Sequence, residues 1–412
     1  MTAIASDRHP DGTAAGQHPY RWAILAGVWL VYFSFSLTIF AMAPMVHRIS
    51  EELGLSHSAM GSVMGAWPLV YIAAAIPCGA FLDRVGAWRG LFIAALVMAA
   101  SCALRGTASG HLSLFLAVAL FGLGGPMLST GAPKLIALWF IGSQRGLAMG
   151  IYFTGTALGG VTSLSLTNSV VLPLFDGNWR AVLFTYAAFV MCAGVAWFLI
   201  GAHPASRAME QQARTGNQKS LRVFAELVRV RSVRIIVGMG LGILFFNHSL
   251  NNWLPEMLRS GGMDAVSAGY WASLPTLLAV CSSLLIPRLA TPERRFAILG
   301  FLFVCAGVAT FLVQAFQGPL LFIGLVLQGT ARGAMTTVSV LTLMEDREVG
   351  PARTGSATGL YFSAAEIGGV LGPLSIGALA DATGGFTAAF QLLAADCALL
   401  LLLLAALRRV SR

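Results

Sequence analysis

The chain has 412 residues, 57% of them hydrophobic and only 10% charged, with a mean hydropathy of +0.77 and a formal net charge of +9. A soluble globular domain carries about 25% charged residues, so a soluble protein is excluded and a polytopic membrane protein is implied. The positive charge does not mark a nucleic-acid binder, because the basic residues fall in a topological pattern along the chain.

Residues 1–21, opening MTAIASDRHPDGTAAGQHPY, are polar and contain Gly and Pro; they read as a cytoplasmic tail without a cleavable signal peptide. Beyond them, apolar runs of about 20 residues, enough to cross a ~30 Å hydrocarbon layer, recur to the end of the chain. Twelve spans are predicted, near 22–46, 58–80, 88–107, 112–138, 146–171, 179–202, 234–257, 264–287, 295–315, 318–343, 354–378 and 386–407. The runs are continuous rather than alternating, so they are helices and not barrel strands. With the N-terminus inside, twenty Lys and Arg fall in inner connections and tails, while only Arg48, Arg105, Arg180 and Arg259 fall on the outer side. That asymmetry places both termini in the cytoplasm, as expected of a cell inner membrane protein.

In the first span, Tyr32 and Ser36 share a helical face. The connection after the second span reads GAFLDRVGAWR, residues 79–89. In the fourth span stands Lys134, inside FGLGGPMLSTGAPKLIALWF. It either contacts a ligand or snorkels, with its ammonium at the interface. The fifth span contains GIYFTGTALGG. After the sixth comes the one long polar segment of the chain, predicted as a linker over 203–233, which divides the spans six and six. The expected units are a bundle at 22–202, this linker, a second bundle at 234–407 and a short tail at 408–412.

The seventh span carries FFNHSLNNWLPEML, where Asn247 and Asn251 are one turn apart, as are His248 and Asn252. Amides are good neutral partners for substrate oxygens and also serve as interhelical hydrogen bonders. His248 is a candidate for proton handling or a structural histidine. Arg332 lies near the centre of the tenth span, with Gln328, Thr336 and Ser339 on nearly the same face. Glu366 interrupts the eleventh span. Asp396, in the twelfth, is expected to be structural. A charge at the bilayer centre costs at least ~2.5–3.5 kcal/mol, so these groups should face a water-filled cavity or a partner. For Glu366 three readings stand: a proton-coupling carboxylate, a static ion pair with Arg332, or packing.

The halves also repeat one another. Gly150–Val161 and Gly359–Val370 share six of twelve residues at an offset of 209, with Glu366 opposite Ala157 and Tyr361 opposite Tyr152. Pro44/Pro255 and Arg48/Arg259 match in a second place. Two six-helix repeats about an axis normal to the membrane, with substrate held between them, form a recurring transporter architecture.

The loop at 79–89 resembles the signature between the second and third helices of the major facilitator superfamily, with Gly79, Asp83, Arg84, Gly86 and Arg89 in its pattern. The resemblance implies an all-α fold of twelve transmembrane helices in two pseudo-symmetric bundles, and a conformational latch at those five residues. It also implies a cavity lined by the first, fourth, seventh and tenth spans. The fourth and seventh spans resemble the cyanate and nitroimidazole transporter branch. The fifth partly resembles the Gly-rich motif of drug/proton antiporters, but Thr156 stands where that motif has proline.

The function expected is secondary transport of a small, anionic solute by alternating access, with proton symport as a further element. Arg332, Lys134, Asn247, Asn251, Glu366 and Tyr32 would contact substrate, and Glu366 and His248 would serve coupling. An arginine fork suits a carboxylate or similar oxyanion. A drug/proton antiporter is the runner-up, and a membrane sensor a third reading. No HExxH, Ser-His-acid or GxxxxGK[ST] pattern occurs, so an enzyme or an ATP-driven pump is not expected. All six cysteines lie inside predicted spans without metal-ligand spacing, and no metal or cofactor is expected. The partners are the solute, protons and the bilayer, and the chain is expected to be a monomer.

Overall fold

The computed structural model describes residues 18–141, 143–206, 209, 226–346 and 348–410; most of the predicted linker therefore lies outside the described residues. Among those residues the regular structure is helical. The α-helices are α1 (Arg21–Phe40), α2 (Val46–Leu53), α3 (His57–Val85), α4 (Ala87–Gly106), α5 (His111–Trp139), α6 (Ser143–Leu166) and α7 (Trp179–Gly201) in the first half. The second half holds α8 (Arg231–Ser260), α9 (Ala265–Leu289), α10 (Arg295–Leu312), α11 (Gly318–Met344), α12 (Gly350–Thr383) and α13 (Thr387–Val410). Eleven stretches are both long and apolar enough to cross a membrane. The remaining long helix, α11, has the length but not the hydropathy, because Gln328 and Arg332 occupy its middle. The helix that falls short as a lipid-facing span is the one that carries the central cation.

Sequence sets the helix ends. Ser56 caps α3 by accepting from the Ala59 N–H, and Asn178 and Asp264 do the same for α7 and α9; such caps satisfy amides that have no partner within the helix. Between α3 and α4 the chain turns at Gly86 with φ of 92°, a conformation that favours glycine.

The packing repeats with the sequence. In the first half α1 lies on α6, α3 and α4 on α5, and α4 on α7; in the second, α8 lies on α12, α9 and α10 on α11, and α10 on α13. Between the halves α3 meets α12 and α6 meets α9, a pair of interfaces related by the same correspondence. The duplicated stretch explains itself physically. A Cβ on Gly159 would run into the backbone oxygen of Phe33 on α1, and one on Gly368 into that of Leu241 on α8. These two glycines stand at the 209-residue offset and let backbone meet backbone in each bundle.

An even number of spans puts both termini on one side of the membrane. On the far side the halves are clamped. Gly61 lies against the Pro373 oxygen, Gly377 against that of His57, and a Cβ on Gly65 would meet the Val370 oxygen at 2.9 Å. Asn168, in the π-helical turn that ends α6, donates to Pro44 O at 2.9 Å and to Ala265 O at 3.1 Å, so one amide bridges both halves. Asp381 accepts from the His57 and Ser58 amides at 3.0 and 2.7 Å, capping α3 from the C-terminal half. Among the described residues the contacts thin out toward the termini: a Cβ on Gly150 would find only Leu284 Cδ2, at 3.9 Å, and one on Gly79 or Gly146 would meet nothing within 4 Å. The described residues are closed on the far side and open toward the termini.

Candidate functional site

The site is built on four helices, α3, α8, α11 and α12. Arg332 is the fifteenth residue of the 27 in α11 and is half-buried. Its Nε is buried without a hydrogen-bond partner. Among the described residues no ion pair forms between Arg332 and Glu366, so the static pair considered from the sequence is not made. Glu366 Oε2 instead lies 3.9 Å from His248 Nε2, with both side chains nearly buried. Gly369 leaves the room for this arrangement, because a Cβ there would sit 2.7 Å from both Glu366 Oε2 and His248 Nδ1. Arg332 is within electrostatic range of His248. The imidazole is thus the group within reach of both the cation of α11 and the carboxylate of α12.

The N-terminal half contributes rings. Trp67 on α3 stacks on His248 with centroids 5.2 Å apart and 27° between planes. One turn on, Tyr71 lies within electrostatic range of Glu366 and shares a hydrogen bond of 3.0 Å with Ser129 on α5. Tyr32 is buried against Tyr152, 4.7 Å between centroids, and lies within range of Tyr71.

Around these groups the polar atoms of the C-terminal half are under-used. Gln328 is 1% exposed and neither end of its amide has a partner, but it lines a small cavity inside the C-terminal bundle with Phe246, Leu250, Thr310 and Phe390. Asn247 Oδ1 and Asn251 Oδ1 are likewise buried and unpartnered, whereas Asn252 turns back to its own helix, donating to His248 O at 2.8 Å. Leaving such a group unpaired costs about 1–3 kcal/mol. Asn247 and Asn251 leave these oxygens unpaired on α8, the helix that also carries His248.

Other predicted residues lie elsewhere. Lys134 is exposed. It stands 23 residues into α5, against 14 into α11 for Arg332. The nine-residue difference is ~13 Å along the axis at ~1.5 Å per residue. Lys134 thus belongs to the termini-side approach and not to the central cluster. In the loop at 79–89, Arg84 and Arg89 are exposed, with Arg89 over the Trp88 ring at 5.3 Å. The Asp83 side chain lies outside the described residues. Asp396 sits on α13 with its carboxylate against Gly242 of α8, a packing position. Sequence reasoning missed Trp67 and Tyr71. Their one-turn spacing in GAWPLVYIA was visible, but rings in a membrane span are usually packing, and α3 was not among the helices expected to line a cavity.

A family model for the Major Facilitator Superfamily matches residues 28–347. The chain belongs to that superfamily. It is similar to an uncharacterised transporter of Bacillus subtilis, 25% identical with 90% of each chain covered, and to the hexuronate transporter of the same organism, 24% identical over 84% of each. A putative tartrate transporter of Agrobacterium vitis is 20% identical, covering 88% of this chain and 85% of its own. A quinolone resistance transporter of Acinetobacter baumannii is 23% identical over 84% of each. Among solved structures, the nucleoside transporter NupG superposes with a TM-score of 0.77 at 16% identity, covering 94% of this chain and 99% of its own; that likeness concerns the fold.

Proposed function

We propose that this superfamily member is a secondary carrier of a small organic anion, working by alternating access between its two six-helix halves. The observation that carries the reading is Arg332: a guanidinium in mid-span, within electrostatic range of His248 and without a carboxylate partner among the described residues. A substrate carboxylate would take the arginine fork, and Asn247 and Asn251 would take its remaining oxygens. The names of the hexuronate and tartrate transporters favour an organic acid over cyanate or a nitroimidazole. The quinolone relative keeps drug/proton antiport as the second reading, which Thr156 in place of the antiporter proline disfavours.

Glu366 and His248 form the proposed coupling pair, since an anion arriving at Arg332 changes the field that both feel. With the termini in the cytoplasm, as the positive-inside pattern supports, the open side is the cytoplasmic one and the far side faces outward. Lys134 then stands in the cytoplasmic approach, where its charge draws anions inward. Residues 79–89 serve as a latch on that side, engaged when the halves close there. The chain is proposed to act as a monomer in the inner membrane. The test is a thermal-shift screen of the purified chain against small organic anions, repeated with Arg332→Ala. Stabilisation that disappears in the variant supports the reading; anions that stabilise both proteins equally would refute it.

A further inference from the structure

The two walls of the site differ in kind, and that difference narrows the substrate. From the C-terminal half come Arg332, His248, Glu366 and the amides of Asn247 and Asn251. From the N-terminal half come rings. Trp67 lies edge-on to Tyr71 at 6.3 Å; behind it the fully buried Phe121 supports it at 5.9 Å and stacks with Phe35 at 5.1 Å. Tyr32 and Tyr152 pack together deeper in the same half. Facing this surface, Arg332 is the one cation at mid-span among the described residues.

A polyhydroxy acid such as a hexuronate carries hydroxyls around its whole body, and each must find a partner when it leaves water. An aromatic wall supplies few. A flat, unsaturated body gains from the same wall, because ring-on-ring contacts add to plain area burial. Resting on the anion-carrier reading, we infer that the substrate is a planar aromatic or conjugated monocarboxylate. Its carboxylate lies at Arg332 and the amides, and its ring lies in the corner formed by Trp67 and Tyr71. Trp67 determines specificity in this arrangement. Held by its stack on His248, it bounds the space for the ring, and the amides of α8 complete the carboxylate end.

The experiment measures binding of five probes to the full-length purified chain: benzoate, nicotinate, cyclohexanecarboxylate, glucuronate and acetate. Cyclohexanecarboxylate keeps the charge and size of benzoate but is not flat. Benzoate and nicotinate are expected to bind at least about fivefold tighter than cyclohexanecarboxylate or glucuronate, the factor that a ring–ring contact of about 1 kcal/mol gives. Trp67→Phe should retain that preference, and Trp67→Ala should erase it, bringing the benzoate-to-cyclohexanecarboxylate ratio to about one. Should the alanine variant fail to fold, the benzoate-to-cyclohexanecarboxylate ratio in the wild-type and phenylalanine forms decides alone. Glucuronate binding as tightly as benzoate, or a ratio near one in the wild type, overturns the inference and leaves the anion carrier standing. Failure of all five probes to bind overturns both.

Discussion

Glu366 separates from Arg332 because the geometry of α12 gives it another neighbour. Gly369, one turn along, clears the space in which its carboxylate meets His248. The cation and the carboxylate of the site are therefore not locked as one pair, and in the proposed coupling a proton on Glu366 would respond to an anion at Arg332. Glu366→Gln removes that response while keeping size and hydrogen bonding. In proteoliposomes the variant should lose proton-driven accumulation by an order of magnitude or more while substrate counterflow continues. Accumulation that survives intact would remove Glu366 from coupling. Arg105 shows what a structural cation looks like by contrast: 2% exposed, it donates to Thr38 O at 2.9 Å and lies over Phe121 at 5.4 Å, closing the C-terminal turn of α1, where a cation suits the helix dipole. The sequence made Arg332 and Glu366 conspicuous because charges are costly in apolar spans. Trp67 and Tyr71 were not conspicuous, since a ring in such a span has a favourable place whether it faces substrate, protein or lipid.

The helices repeat a small number of close approaches, and the approaches differ in what they hold together. Gly368 packs α12 on α8 inside one bundle, whereas Gly61 packs α3 on α12 across the interface between bundles. A Cβ at either place meets a backbone oxygen, which cannot rotate away. Gly368→Val should therefore destabilise the second bundle by about 1–3 kcal/mol, the usual cost of overpacking, and lower the melting temperature. Gly61→Val should leave the melting temperature within a few degrees and shift the conformation instead, read as increased labelling of far-side cysteine probes. Equal loss of stability in the two variants would contradict the assignment of these contacts. The shared letters of residues 150–161 and 359–370 made the duplication legible without structure. Which glycines close a bundle and which close the interface was not legible, because both kinds sit in the same small-residue pattern and differ only in the helix opposite.

At the scale of the whole molecule, the far side is held by backbone contacts and by one exposed carboxylate that acts across the halves. Asp381, in the last turn of α12, receives the first two amides of α3 and also contacts His57 Nδ1 at 3.0 Å. It is an N-cap supplied by the opposite half, so it stabilises α3 only while the far side is closed. Helix caps contribute about 1 kcal/mol, and the solvent exposure of Asp381 argues against more. That is about a fivefold bias between two conformers. Asp381→Ala should accordingly raise the far-side-open population about fivefold without unfolding either bundle, since the Ser56 cap on α3 remains. Spin labels at the exposed positions Glu51 and Ala382 report that distance directly. The variant should show a longer-distance population that the wild type holds at a low level, and a saturating anion should redistribute it in both proteins. Identical distance distributions in the two proteins would mean that the glycine contacts and the Asn168 bridge close the far side without it, and that Asp381 merely caps a helix that is already in place.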